Sequence, residues 1–166
     1  MSHPIHTRSA SPHDLDEISR LHARVFGPGR FARSAYRVRE GQEWLSPHCR
    51  VAGMHGRIIA AVRITAAAIG GKAGAALLGP VAVDPDFRGQ GYARKLVGEC
   101  LENMRTKGVR LVVLVGDMPY YHQFGFEPVP PGSILFPGPV NPARILALEL
   151  QPGTLAGYKG LVTAAV

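Results

Sequence analysis

Long apolar runs, cysteines, aromatics and acids are all scarce in this chain of 166 residues. The longest uncharged apolar run, residues 73–83, is about half of the ~20 residues a membrane helix needs, so no membrane span is expected. The N-terminal string MSHPIHTRSASPHD has no apolar core. A secretory signal is therefore not expected, and the chain is expected in the cytoplasm. Two cysteines, Cys49 and Cys100, are too few for a disulfide framework, and a free buried pair is expected. The seven histidines show no ligand spacing and no cysteine or carboxylate cluster joins them, so no metal site is expected. Acids number 12 against 19 lysines and arginines, a formal charge of +7. Such a surface attracts polyanions, whether nucleic acid or a phosphate-rich ligand.

What is present reads as one ordinary globular domain over residues 1–166, with 46% hydrophobic and 19% charged residues. Ser11-Pro12, then Asp14 and Glu17, is a helix start, followed by Leu15, Ile18, Leu21 and Val25 at helical spacing. Gly27-Pro28-Gly29 ends that helix, and a second, more polar helix is expected over 31–40. His3 and His6 are placed in a loose terminus. Residues 50–54, 57–69 and 75–83 read as consecutive antiparallel strands. Gly79-Pro80 interrupts the third, where a bulge or a loss of pairing is expected because proline brings no N–H. Ala93, Leu96, Val97, Cys100, Leu101 and Met104 then form one helical face that stops at Gly108. Residues 111–115 are wholly apolar and fit a central strand, parallel to its predecessor through a right-handed crossover. A helical turn is expected over 119–124 and a last clear strand over 145–150. The Pro/Gly-rich 131–142 loop between them wraps the core.

Between the third strand and its helix lies VAVDPDFRGQGYARKL. A helix N-terminus offers unpaired N–H groups and partial positive charge, and glycine lets a ligand approach the backbone closely. The amides of Gln90, Gly91, Tyr92 and Ala93, with Gly89 and Arg88 beside them, suit a diphosphate. The G-x-x-x-x-G-K-[ST] phosphate loop is missing, and Arg94 stands where a dinucleotide fingerprint needs its third glycine. Taken alone, the loop also fits a plain strand-to-helix turn.

Two motifs in order go further. Arg88-x-x-Gly91-x-Ala93 resembles the [RQ]-x-x-G-x-[GA] acyl-CoA loop of the GNAT superfamily of N-acetyltransferases. Downstream, YYHQFGF is similar to that family's Y-x-x-x-G-F element, with Tyr121 four residues before Gly125. GDMPYYHQFGFEP looks most like the YhbS-like branch. The resemblance implies an α+β, three-layer αβα fold: a mixed, mostly antiparallel sheet with helices on both faces and a splayed central strand pair. It implies acetyl-CoA as co-substrate, an amine acceptor (small molecule or peptide N-terminus), and a monomer or homodimer. It makes Val81 and Val83 backbone partners of pantetheine and Tyr121 the acid that protonates the departing thiolate.

No glutamate precedes the glycine loop on its strand, a departure from many relatives that puts a direct carboxylate base in doubt. Glu40, Glu43, His55, Asp117 and His122 are base candidates by residue type only, and water relayed from backbone carbonyls is an equal alternative. The acceptor would lie among the first two helices, the loop after Gly41 and residues 127–142, where Trp44, Phe136 and Arg144 are candidates. A non-catalytic acyl-CoA sensor is the alternative reading. A nucleic-acid-binding domain is disfavoured, since neither a recognition motif nor aromatic stacking platforms are present.

Overall fold

Alternation along the strands decides which residue faces which layer. Along β5 (Leu111–Val115), Val112 and Leu114 point into one apolar cluster and Leu111 and Val113 into another. The first cluster receives Leu96, Val97, Cys100, Leu101 and Met104 of α3 (Tyr92–Thr106). Burying each such side chain contributes about 1.5–3 kcal/mol, enough to fix the helix on its face. On the opposite face α1 (Leu15–Phe26) packs Ile18 and Leu21 against Val51, Ile58, Ala61 and Ala82, and α2 (Ser34–Val38) adds Val38. The computed structural model describes residues 5–40, 45–54 and 56–165, and it is a three-layer α+β fold. Glu43, Trp44, His55 and His3 lie outside the described residues.

The sheet runs β1 (His6–Ser9), β2 (Arg50–Met54), β3 (Arg57–Ile69), β4 (Lys72–Val83), β5, β8 (Ile145–Glu149) and β6 (Glu127–Pro128). All neighbours are antiparallel except β4 and β5, which are parallel, as the crossover through α3 requires. A short helix α4 (Met118–Tyr121) and a 3₁₀ turn (His122–Phe124) follow β5. β7 (Ile134–Leu135) pairs with β9 (Gly160–Ala164), and β9 pairs with the far end of β3. Glycine is obligatory at that junction: a Cβ on Gly70 would sit 2.0 Å from the Lys159 carbonyl oxygen.

Four expectations need correction. The second helix covers only Ser34–Val38, because Pro28–Ala32 close into a 3₁₀ turn first. His6 is not loose but opens β1, an exposed edge strand held by its ladder to β2. The last strand is β9, not β8. The 131–142 segment is also not all loop, since β7 lies within it. The start of α1 and the cysteines are as expected. Ser11 and Asp14 form a capping box before α1, with the Ser11 N–H donating to Asp14 Oδ2 at 2.8 Å. Cys49 and Cys100 are free and buried.

Candidate functional site

The Gly79-Pro80 interruption opens the sheet. Opposite Val62 and Ile64 of β3 stand Val81 and Leu78, so Gly79 and Pro80 together face the single residue Arg63: a bulge. The peptide between Gly79 and Pro80 is cis. On the other side, β4 and β5 pair only at Ala75–Leu111, Ala76–Val112 and Leu77–Val113. Beyond that, β4 continues to Val83 and β5 to Val115 with no pairing between them. The two strands splay, as the break suggested.

The groups exposed by the splay follow from the ladder. The Asp84 N–H donates to the Ile59 carbonyl at 2.7 Å, and Val83 and Val81 stand opposite Ala60 and Val62. Antiparallel pairs alternate between bonded and non-bonded, so Ala82 and Asp84 spend their backbone groups on β3. Val81 and Val83 turn theirs toward the gap.

At the end of β4 the chain enters the glycine loop. Asp84 there is 1% exposed, and its Oδ2 accepts from Arg24 and Arg57, each at 2.6 Å, while its Oδ1 accepts from the Asp86 N–H at 3.0 Å. Burial alone would raise this carboxyl, but the Asp86 amide and the two guanidiniums outweigh it and hold it below the ordinary carboxylate range. Asp84 thereby braces the turn against α1 and β3. Its signal was legible, an aspartate capping a proline turn, but the sequence reading gave it no role.

Arg88, Gly89, Gln90 and Gly91 are exposed, and Tyr92 and Ala93 are half-buried. Gly91 caps α3 with φ +86°, and the first bond back into the helix is Lys95 N–H to the Gly91 carbonyl at 3.0 Å. The amides before Lys95 therefore have no intrahelical acceptor. A Cβ on Gly89 or Gly91 would meet no protein atom within 4 Å. Open space with outward N–H groups fits an anion, and Arg88, Arg94 and Lys95 add charge nearby.

The other end of the splay is a cavity of about 280 Å³, lined by Leu77 to Val81, Val115, Tyr121 and side chains from two distant segments. Those segments supply Arg33, Ser34 and Ala35 from one, and Phe136, Asn141 and Arg144 from the other. Phe136 and Arg144, named from the sequence, line this cavity; Arg33 and Asn141 line it too and were not named for it. Tyr121 is wedged over Gly116, where a Cβ would come within 2.5 Å of its ring. Its ring packs edge-on against Tyr120 and Phe126. Burial pushes the phenol up to about 12, with Tyr120 adding to the shift and Arg33 opposing it, so it keeps its proton at neutral pH. Arg39, 6% exposed, donates to the Gly79 carbonyl at 3.1 Å and holds the bulge from the α2 side. Neither Gly116 nor Arg39 carried a signal beyond residue type.

Of the base candidates, Glu40, Asp117 and His122 are exposed, and none lines the cavity. Asp117 lies 3.6 Å from Arg144 and His122 3.3 Å from Glu127. The cysteines are also apart from it; burial pushes the Cys100 thiol up to about 12, which removes its thiolate.

Comparison with known proteins places this geometry. The family profile described as "Acetyltransferase (GNAT) domain" matches residues 6–129. A curated relative, the uncharacterized N-acetyltransferase YhbS of Escherichia coli strain K12, is 36% identical over 85 residues, 51% of this chain and 51% of that protein. The match thus spans about half the length of that relative. The crystal structure of the Escherichia coli YhbS in complex with CoA superposes with TM-score 0.82 at 29% identity, covering 99% of this chain and 92% of that one. A GNAT family acetyltransferase from Brucella melitensis in complex with acetyl-CoA gives TM-score 0.76 at 27% identity, covering 99% and 98%.

Proposed function

The chain belongs to the GNAT acetyltransferase family, and from that premise we propose that it moves an acetyl group from acetyl-CoA to a primary amine in a ternary complex. One observation carries the reading. The outward amides of the glycine loop, the gap-facing backbone of Val81 and Val83 and the Tyr121 cavity follow one another along the splayed half of β4. The solved relatives named above were crystallised with CoA and acetyl-CoA, which supports the same ligand here.

Acetyl-CoA would supply an acyl carbon already activated as a thioester. In this reading Arg88, Gly89, Gln90, Gly91, Tyr92 and Ala93 hold the diphosphate, and Val81 and Val83 pair with the pantetheine amides. The amine nitrogen attacks the acyl carbon; the C–N bond forms, the C–S bond breaks, and the nitrogen loses one proton to water. Tyr121, protonated at neutral pH, gives its proton to the leaving sulfur and recovers one from solvent. With Cys100 held as a thiol and both cysteines away from the cavity, direct attack suits the site better than a covalent enzyme intermediate.

The test is a calorimetric titration with acetyl-CoA of the wild type and of Gly91→Glu. Saturable binding is expected in the first. A loss of about a hundredfold or more is expected in the second, because the carboxylate projects into the anion space. No wild-type binding at millimolar acetyl-CoA would sink the reading. Binding with no release of CoA to any amine would leave a non-catalytic acyl-CoA sensor.

A further inference from the structure

The walls of the cavity carry information about the acceptor. Arg33 and Arg144 both line it, with Ser34 and Asn141 as neutral polar neighbours, and among the described residues no carboxylate does. Arg33 is exposed, and its guanidinium sits 4.2 Å over the Phe26 ring. Stacking fixes the plane of that group while leaving its N–H edge free to bond. Among the described residues Arg144 has one ion-pair partner, Asp117, at 3.6 Å, and the Asp117 side chain is 78% exposed. A pair so long and so solvated is weak, and a better-placed oxyanion displaces it.

An amine acceptor arrives as a cation. Two guanidiniums with no lining carboxylate repel a molecule that is only a cation, by about tenfold or more in occupancy at close range. The same walls attract an oxyanion in bidentate geometry. Once the anion is seated, one guanidinium charge offsets it, and the remaining positive charge disfavours the protonated form of the nearby ammonium. The site then yields a neutral nucleophile without a carboxylate base.

Resting on the acetyl-transfer reading above, we propose that the acceptor is an amine carrying its own oxyanion, a carboxylate or a phosphate, which Arg33 and Arg144 hold. The amino group is thereby presented at the Tyr121 end of the cavity. There the ammonium zwitterion first gives one proton to water; the neutral amine then attacks, its second proton also goes to water and Tyr121 protonates the leaving sulfur, so the products are an N-acetylated anion, CoA thiol and one net proton.

The experiment follows CoA release from acetyl-CoA with a thiol reagent. The anionic probes are the twenty amino acids and phosphoethanolamine. Their matched counterparts are the amino acid amides and ethanolamine, with spermidine as a pure polycation. Wild type, Arg33→Gln and Arg144→Gln are compared, and acetyl-CoA affinity is measured for each by calorimetry. At least one anionic probe is expected to exceed its counterpart about tenfold or more in kcat/KM, with amino acids against phosphoethanolamine separating carboxylate from phosphate. Each glutamine variant is expected to raise KM for that probe and shrink the preference, leaving acetyl-CoA affinity within about twofold. Spermidine or the amides used as well as the anionic probes would overturn the proposal while keeping the acetyltransferase reading. So would a preference that survives both variants, or no turnover of any anionic probe by enzyme that binds acetyl-CoA. Failure of the wild type to bind acetyl-CoA would take both readings down together.

Discussion

At one end of the cleft, the consecutive residues 88–93 carry the entire candidate anion site, mostly through backbone. At the other end, Arg33, Gly79, Tyr121, Phe136 and Arg144 meet from four separate stretches of chain. The first end is exposed and its glycines border open space. The second is propped from behind: Gly116 makes room for Tyr121, and Arg39 holds the Gly79 carbonyl. A backbone site is vulnerable to any side chain that intrudes on it. An assembled site is vulnerable to loss of the props that aim its side chains.

The sharpest way to break this comparison is to strike each end alone. Gly91→Glu should remove acetyl-CoA binding, whereas Tyr121→Phe should leave that binding within about twofold and lower kcat by roughly a hundredfold, the usual worth of a positioned proton donor. Calorimetry and steady-state kinetics on the same preparations separate the two. A Tyr121→Phe protein that loses acetyl-CoA affinity but keeps kcat would make Tyr121 a packing residue and merge the two ends.

A smaller effect tests the props. In Gly116→Ala the new methyl would lie 2.5 Å from Tyr121 Cε2 and 3.0 Å from Leu114 Cδ1, so the ring must move. A displaced donor should lower kcat about tenfold with acetyl-CoA affinity unchanged. Combined with Tyr121→Phe, the loss should be less than the product of the two, because both act on one proton transfer. Full additivity would show that Gly116 works through something other than Tyr121.

The same contrast explains what the sequence disclosed. The glycine loop is local: strand, turn and helix start follow one another, so consecutive residues disclose its shape, while its role came from the resemblance. β2, β3 and β4 were legible from their apolar runs and turn glycines, and β5 from its unbroken apolar run between a glycine stop and Gly116. β1 was not, because His6, Arg8 and Ser9 are exposed and the strand is held by a backbone ladder to β2 and by polar contacts, Arg8 with Asp14 and Thr7 with Glu99, that leave no apolar pattern. β9 was missed because only Val162 in it is buried. The Tyr121 cavity was legible only in part: Phe136 and Arg144 were candidates by sequence, and Arg33 was not. Arg33 and Arg144 are distant in sequence, and nothing in either neighbourhood announces that the bulge at Gly79 brings them to one cavity.

The smallest expected effect lies between α1 and α2. His22 of α1 is 2% exposed, and its Nδ1 shares a hydrogen bond with the Tyr36 hydroxyl of α2. Burial, aided by Arg39, Arg63, Arg30 and Arg33, pushes its pKa down to about 3, from 6.5. Between those values the unfolded chain takes up a proton that the folded chain refuses, so stability is whole above about pH 6.5 and drains as pH falls toward 3. By pH 4.5 the loss from this residue should be on the order of 2 kcal/mol. The window is clean of Asp14, which its hydrogen bond with Arg8 holds at about 2, below its ordinary 3.8. His48, also lowered by burial, leaves a residual slope in the same direction. Urea unfolding of the wild type and of His22→Gln at pH 7 and 4.5 should show a flatter pH dependence in the variant, whatever its absolute stability. The charges of the glycine loop face water, so Arg88→Gln should leave the wild-type slope intact. Equal slopes for wild type and His22→Gln would mean that His22 protonates freely, and that the contact between α1 and α2 is as open to solvent as the loop.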